Sequence, residues 1–143
     1  MAETYFVDTN ILVYAHDRSE GKKHLRARSL VEELWANGDG VLSTQVLQEL
    51  CINLMGKMAK PFSLAEVREI MQDYLRWRIV VNTPDSILRA LELQGRHKIS
   101  SFWDALIVQA AESAAASVLY SEDLAPGQTY GAVRVVNPFA ITA

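Results

Sequence analysis

The sequence predicts an α/β fold, with a mainly parallel sheet of about five strands covered by helices on both faces. Short β-branched or aromatic runs recur at Tyr5-Phe6-Val7, Val41-Leu42-Ser43, Ile79-Val80-Val81, Val118-Leu119-Tyr120 and Val133-Arg134-Val135-Val136. Such residues suit pleated, covered strands. Between most of these runs lie stretches with apolar residues at helical spacing, so strand and helix alternate as in crossover units. A chain of 143 residues is the size of one ordinary domain, and residues 1–143 are expected to form a single unit with its own core.

Taken in order, Tyr5-Phe6-Val7 ends abruptly in the polar Asp8-Thr9-Asn10, after which Ile11 to Ala15 resumes apolar character as a short helix. Asp17 to Gly21 is a polar break. A second helix is expected from about Lys22 to Asn37, because Ala27, Leu30, Val31 and Leu34 mark one apolar face. Lys22, Lys23, Arg26 and Arg28 load its first turns with positive charge. Asn37-Gly38-Asp39-Gly40 closes it with residues that tolerate left-handed backbone.

Ser43 or Thr44 then caps a third helix running to about Met58, with Val46, Leu47, Leu50, Cys51, Leu54, Met55 and Met58 as its core stripe. Pro61 lies in a connector, and Ser63-Leu64-Ala65-Glu66 reads as a capping box. The fourth helix is expected to reach about Trp77, using Val67, Ile70, Met71, Tyr74 and Leu75 as apolar contacts. Thr83-Pro84 opens a fifth helix expected to run to roughly Leu93 and stop near Gly95. No charge separates Asp104 from Glu112, so a sixth, largely buried helix carries Asp104 near its start.

Composition narrows the class. Hydrophobic residues make up 50% and charged residues 22% of the chain, as in an ordinary globular domain. A net charge of -3 argues against bulk adhesion to nucleic acid, although a local cluster of bases can still contact phosphates. The lone Cys51 has no intramolecular disulfide partner and is expected as a buried thiol in a reducing compartment. No apolar stretch approaches the length of a membrane span, and Glu3 stands where a signal peptide would be basic. A cytoplasmic protein with no membrane partner is the expectation.

Four carboxylates carry the functional reading: Asp8, Glu49, Asp104 and Asp123. Each has an ordinary local explanation. Asp8, Thr9 or Asn10 suits a helix N-cap, Glu49 an exposed helix flank, Asp104 a capping box with Ser101, and Asp123 an Asx-turn. In a parallel sheet, however, all strands present their carboxyl ends on one side, where ligands bind. Asp8 and Asp123 follow strands directly, and Glu49 and Asp104 sit on helices that begin at that edge. Like charges gathered there destabilise one another, and a divalent cation resolves the conflict. Oxygen-only ligands select a hard ion, Mg²⁺ or Mn²⁺, rather than a structural zinc. Phosphodiester hydrolysis is the natural reaction of such a site, with Lys22, Lys23 and Arg26 as candidate phosphate contacts.

The segments Phe6-Val7-Asp8-Thr9-Asn10, Gln48-Glu49-Leu50, Phe102-Trp103-Asp104-Ala105 and Tyr120-Ser121-Glu122-Asp123-Leu124 resemble the successive acidic motifs of PIN-domain ribonucleases. Among these the chain looks most like VapC-type toxins of toxin–antitoxin pairs. The resemblance implies a PIN-like α/β/α sandwich and a Mg²⁺- or Mn²⁺-dependent endoribonuclease, often acting on transfer or ribosomal RNA. It also implies a cognate antitoxin and a homodimer. By position, Asp8, Glu49, Asp104 and Asp123 would be the acids of the metal site, and Thr9, Asn10 and Ser121 the polar residues that orient ligands or water. A haloacid-dehalogenase-type phosphatase needs a second Asp where this chain has Asn10. A receiver-type signalling domain would want paired early acids and a later strand-end lysine, neither of which is evident. A noncatalytic RNA-binding or scaffold domain on the same fold, or a PIN ribonuclease of RNA processing, is the alternative.

Overall fold

In a computed structural model that describes residues 3–140, thirteen short elements build one twisted sheet and its helical cover. Strand β1 (Tyr5–Val7) leads into α1 (Thr9–His16), a single 3-10 turn (Arg18–Glu20) and α2 (Lys22–Asn37). Next come β2 (Gly40–Ser43), α3 (Thr44–Gly56), α4 (Leu64–Tyr74), β3 (Arg78–Val80), α5 (Pro84–His97) and α6 (Phe102–Ser113). The chain closes with β4 (Val118–Tyr120), β5 (Thr129–Tyr130) and β6 (Val133–Val136). The ends of the expected unit, residues 1–2 and 141–143, lie outside the described residues.

The strand order is β3-β2-β1-β4-β6-β5. All neighbours pair in parallel except β5 with β6. The sheet therefore has six strands rather than about five. The addition is the two-residue β5, which pairs Tyr130 with Val133, and its Thr129-Tyr130 is too short to show an alternating pattern in the sequence. From β1 the chain moves outward through β2 to β3, then returns across the sheet to β4 on the other side of β1. Because crossovers are right-handed, the two directions of travel put their helices on opposite faces. The packing follows this division: α1 contacts α2 and α3, α3 contacts α4, and α5 packs on α6. Phe6, Val7, Val41, Leu42, Val118 and Leu119 are buried between the layers.

Local chemistry sets most boundaries. The Ser63 hydroxyl accepts from the Glu66 amide while the Glu66 carboxylate accepts from the Ser63 amide, completing the expected capping box. Ser43, not Thr44, caps α3. Gly38 ends α2 in the left-handed region at φ 72°. Several expectations need correction. Helix α5 runs through Gly95 to His97 and ends at Lys98, itself left-handed at φ 54°. A glycine within a helix costs stability but does not stop it when the flanking apolar face is buried. Helix α4 stops at Tyr74, not near Trp77. Met55 and Leu75 are exposed and Cys51 is half-buried, so the stripes of α3 and α4 are narrower than their apolar composition. No helix among the described residues is long and apolar enough to cross a membrane.

Gly40 is required by a close approach. A Cβ there would stand 2.3 Å from the Trp77 ring, which packs with Trp35 and Tyr74 at centroid separations of 5.4 and 5.6 Å. Gly40→Ala should destabilise the protein by about 1–3 kcal/mol through overpacking. Gly95→Ala, in the interior of α5 with nothing within 4 Å of a new Cβ, should stabilise it by up to about 1 kcal/mol. Urea denaturation of the two variants measures both signs.

Candidate active site

The carboxyl edge of the sheet opens between β1 and β4, where the chain reverses its direction of travel across the sheet. Such reversal points in open α/β sheets leave a crevice between the diverging loops. A cavity of about 250 Å³ lies there, lined by Asp8, Thr9, Asn10, Gln45, Glu49, Ile52, Asn53, Lys57, Trp103, Asp104, Ile107 and Asp123. All four expected acids and two of the three expected polar residues border it. It is small and polar, on a scale that suits an ion and a phosphate better than a large organic ligand.

Asp8 is both a cap and a buried acid. It is the N-cap of α1, where its Oδ1 accepts from the Thr9 amide at 2.7 Å. Its Oδ2 accepts from the Ser121 hydroxyl at 2.8 Å. Ser121 is fully buried and also accepts from the amides of Asp123 and Leu124, so one hydroxyl shapes the loop after β4 and grips the acid after β1. Thr9 and Asn10 tie the remaining elements to α1. The Thr9 hydroxyl donates to Glu49 Oε1 at 2.7 Å, and Asn10 Nδ2 donates to Asp123 Oδ2 at 2.7 Å. Asp104 enters from α6, in the opposite helical layer. Its amide donates to Ser101 at 3.5 Å, but its carboxylate has no hydrogen-bond donor among the described residues. The capping box expected there is half made, and the acid is left facing the cavity.

Electrostatics couple these groups. Burial pushes the Asp8 carboxyl up from 3.8 to about 7, helped by the charges of Asp123 and Asp104 and opposed by the bonds from Ser121 and Thr9. Asp104 is raised by burial and then by the charges of Asp123 and Glu49. Asp123 is raised by burial and by Glu122. Among the described residues no three acids are drawn together into an ion-binding cluster. The donor set is nevertheless all oxygen, and acids held near one another without a paired base fit a hard divalent cation. Gln45 adds an acceptor. Its Nε2 donates to the Trp103 carbonyl at 3.2 Å, while its buried Oε1 lacks a donor.

The expected basic group lies elsewhere. Lys23 pairs with Glu122, which also accepts from the Tyr14 hydroxyl. Arg26 donates through Nε to the Pro138 carbonyl at 3.1 Å. Lys22 is exposed on the first turn of α2. None of the three lines the cavity, whereas Lys57, at the C-cap of α3, does. Lys57 carries no local signal in the sequence, because its distance from the acids depends on how α3 crosses the sheet edge. Gln45, Asn53 and Trp103 were likewise not singled out. Trp103 alone had a local signal, its place beside Asp104.

An α/β domain with an acidic cavity at the reversal point of a parallel sheet defines the class. The chain belongs to the PIN domain family, whose match spans residues 5–130. Its fold is similar to that of Mycobacterium tuberculosis VapC20, described as a sarcin-ricin loop cleaving toxin, at 22% identity and a TM-score of 0.61 over 84% of this chain and 90% of that one. It is similar to a chain of a toxin–antitoxin complex from Klebsiella pneumoniae at 18% identity and a TM-score of 0.69, over 96% of this chain and 100% of that one. A chain of Rickettsia felis VapBC2, bound to a promoter DNA fragment, matches at 22% identity and a TM-score of 0.59, over 84% of this chain and 87% of that one. Comparison by sequence with curated proteins gave no significant match.

The raised Asp8 carboxyl has a signed consequence for stability. A carboxyl whose pKa is higher when folded favours the fold below its ordinary value of 3.8, and that contribution is lost as pH rises toward 7. Asp8→Asn, neutral throughout, should match the metal-free parent near pH 3.8 and exceed its Tm at pH 7.5 by on the order of 5 °C. Thermal melts across this range with chelator present measure the difference. Added Mn²⁺ should raise the Tm of the parent more than that of the variant.

Proposed function

We propose that the protein is a divalent-metal-dependent endoribonuclease, hydrolysing RNA phosphodiester bonds at the acidic cavity, and that it is the toxin of a toxin–antitoxin pair. The observation that carries the reaction is the convergence of four carboxylates, Asp8, Glu49, Asp104 and Asp123, on one small polar cavity. Asp8, Glu49, Asp104 and Asp123 would hold Mg²⁺ or Mn²⁺. When bound, such an ion neutralises charge on the scissile phosphate and makes a water more acidic.

The chain's own residues prepare this chemistry. Ser121 and the Thr9 amide fix the two oxygens of Asp8, so its negative charge is aimed before substrate arrives. Thr9 orients Glu49 and Asn10 orients Asp123. Burial of Asp8 keeps bulk water from weakening its interaction with a cation. Hydrolysis places the oxygen of water on phosphorus and leaves a proton on the departing ribose oxygen.

The physiological reading rests on what the similar folds are described as: a toxin cleaving the sarcin-ricin loop, and toxin–antitoxin complexes. By that analogy the substrate is transfer or ribosomal RNA and the partner a cognate antitoxin. The whole 143-residue chain would act as one unit in the cytoplasm, as a homodimer. Lys22 remains available for phosphate contact. Lys23 and Arg26 could serve only by leaving Glu122 and Pro138.

Purified protein incubated with transfer and ribosomal RNA should cleave in the presence of Mn²⁺ or Mg²⁺ and not with chelator. Asp8→Asn should lower cleavage to background with an unchanged circular dichroism spectrum. Ser121→Ala, which frees Asp8 without touching substrate, should cost about tenfold to a hundredfold in metal affinity or rate. Unchanged activity of Asp8→Asn would overturn the assignment. A metal-independent RNA-binding activity without cleavage would favour the noncatalytic alternative.

A further inference from the structure

Trp103 is 62% exposed although it lines the cavity that Asp8, Glu49, Asp104 and Asp123 border. An indole left in water forgoes the burial that normally places tryptophan in a core. It is nonetheless held in place. It is the second residue of α6, its ring packs edge-on against Phe102 at 5.7 Å, and its carbonyl accepts from Gln45. Gln45 is only 5% exposed, and its second amide atom lacks a partner. Helix α3 contributes Ile52, 58% exposed, and Lys57 to the same cavity. Lys57 makes no ion pair among the described residues. The acidic cavity is thus bordered by an aromatic plane, an aliphatic side chain and a cation.

We infer that Trp103 is a stacking platform for the base of an unpaired nucleotide flanking the scissile phosphate, with Lys57 engaging a neighbouring phosphate. The inference rests on the nuclease reading above and adds the residues that would hold the nucleotide beside the scissile phosphate, Trp103 through its ring and Lys57 through its charge. Every base has a π-face, and stacking on tryptophan is favourable without regard to sequence. In a duplex those faces are covered by neighbouring bases, so the platform would have nothing to accept. A nucleotide also matches the charge pattern. Its phosphates suit Lys57 and a cation held by the acids, whereas a purely apolar partner would bury those acids uncompensated.

The test measures binding of a short, fluorescently labelled oligoadenylate to protein carrying Asp8→Asn, so that cleavage does not intrude. Adding Trp103→Ala should weaken binding about tenfold, and Trp103→Phe should stay within about threefold of the parent. The same RNA annealed to its complement should bind all three equally. Indole fluorescence should be quenched by the single strand in the parent and not in Trp103→Ala. Lys57→Ala should flatten the salt dependence of binding by roughly one phosphate contact. Thermal melts should show Trp103→Ala folded, as its ring is exposed. Equal single-strand affinity of Trp103→Ala and its parent, or no binding by the parent, overturns the platform. So does conversion of a dimer to a monomer by Trp103→Ala at unchanged RNA affinity, which would assign this rim to a contact between copies. Trp103-dependent binding by a wild-type protein that cleaves nothing with Mn²⁺ would uphold the platform and sink the nuclease reading instead.

Discussion

A carboxylate held almost without water at the centre of a sheet edge is the constraint on which this structure turns. Asp8 is 5% exposed, yet it retains two hydrogen bonds, from its neighbour's amide and from the buried Ser121 hydroxyl. Ser121 also satisfies the amides that turn the chain after β4. Removing the acid would leave that hydroxyl without its acceptor, and removing the serine would leave a buried charge half-solvated. The two central strands are thereby locked end to end, in continuation of the ladder bond from the Asp8 amide to the Tyr120 carbonyl.

From this lock the other acids take their positions. α1 begins at Asp8, and its first two residues reach Glu49 on α3 and Asp123 after β4. Asp104 arrives from the opposite helical layer and stays without a donor among the described residues. An arrangement that raises the carboxyls of Asp8, Asp104 and Asp123 together is costly for the metal-free fold. Stability given up at one edge of a domain is the usual signature of a site built for a ligand, here proposed to be a divalent cation and a phosphate. The pair of Lys23 with Glu122, beside Tyr14, neutralises the acid next to Asp123 and keeps it out of the cavity.

Much of the fold is legible along the chain because its signals are local. Ser63-Leu64-Ala65-Glu66 closes its capping box within one turn, and Val118-Leu119-Tyr120 is apolar over the length of its strand. Where the reading failed, the deciding contact was distant. Gly95 did not stop α5, because Ala90 and Leu93 bury its face against the rest of the domain. Leu75 looked like core by spacing, yet α4 ends before it. Tyr130 gained a strand only by meeting Val133 across a tight turn.

By itself the sequence determined the alternation of strands and helices, the placement of Asp8 and Asp123 just beyond strand ends, and that of Glu49 and Asp104 on the helices α3 and α6. Hydrophobic periodicity and strand polarity act over a few residues, and they suffice to put acids on one edge of a parallel sheet. Only the tertiary structure decided which polar group grips which acid: Ser121 for Asp8, Thr9 for Glu49 and Asn10 for Asp123. It also decided that Lys57 and Trp103, rather than Lys22, Lys23 and Arg26, border the cavity. Those choices depend on strand order and on the faces to which the crossovers carry α3 and α6, and no run of neighbouring residues encodes either.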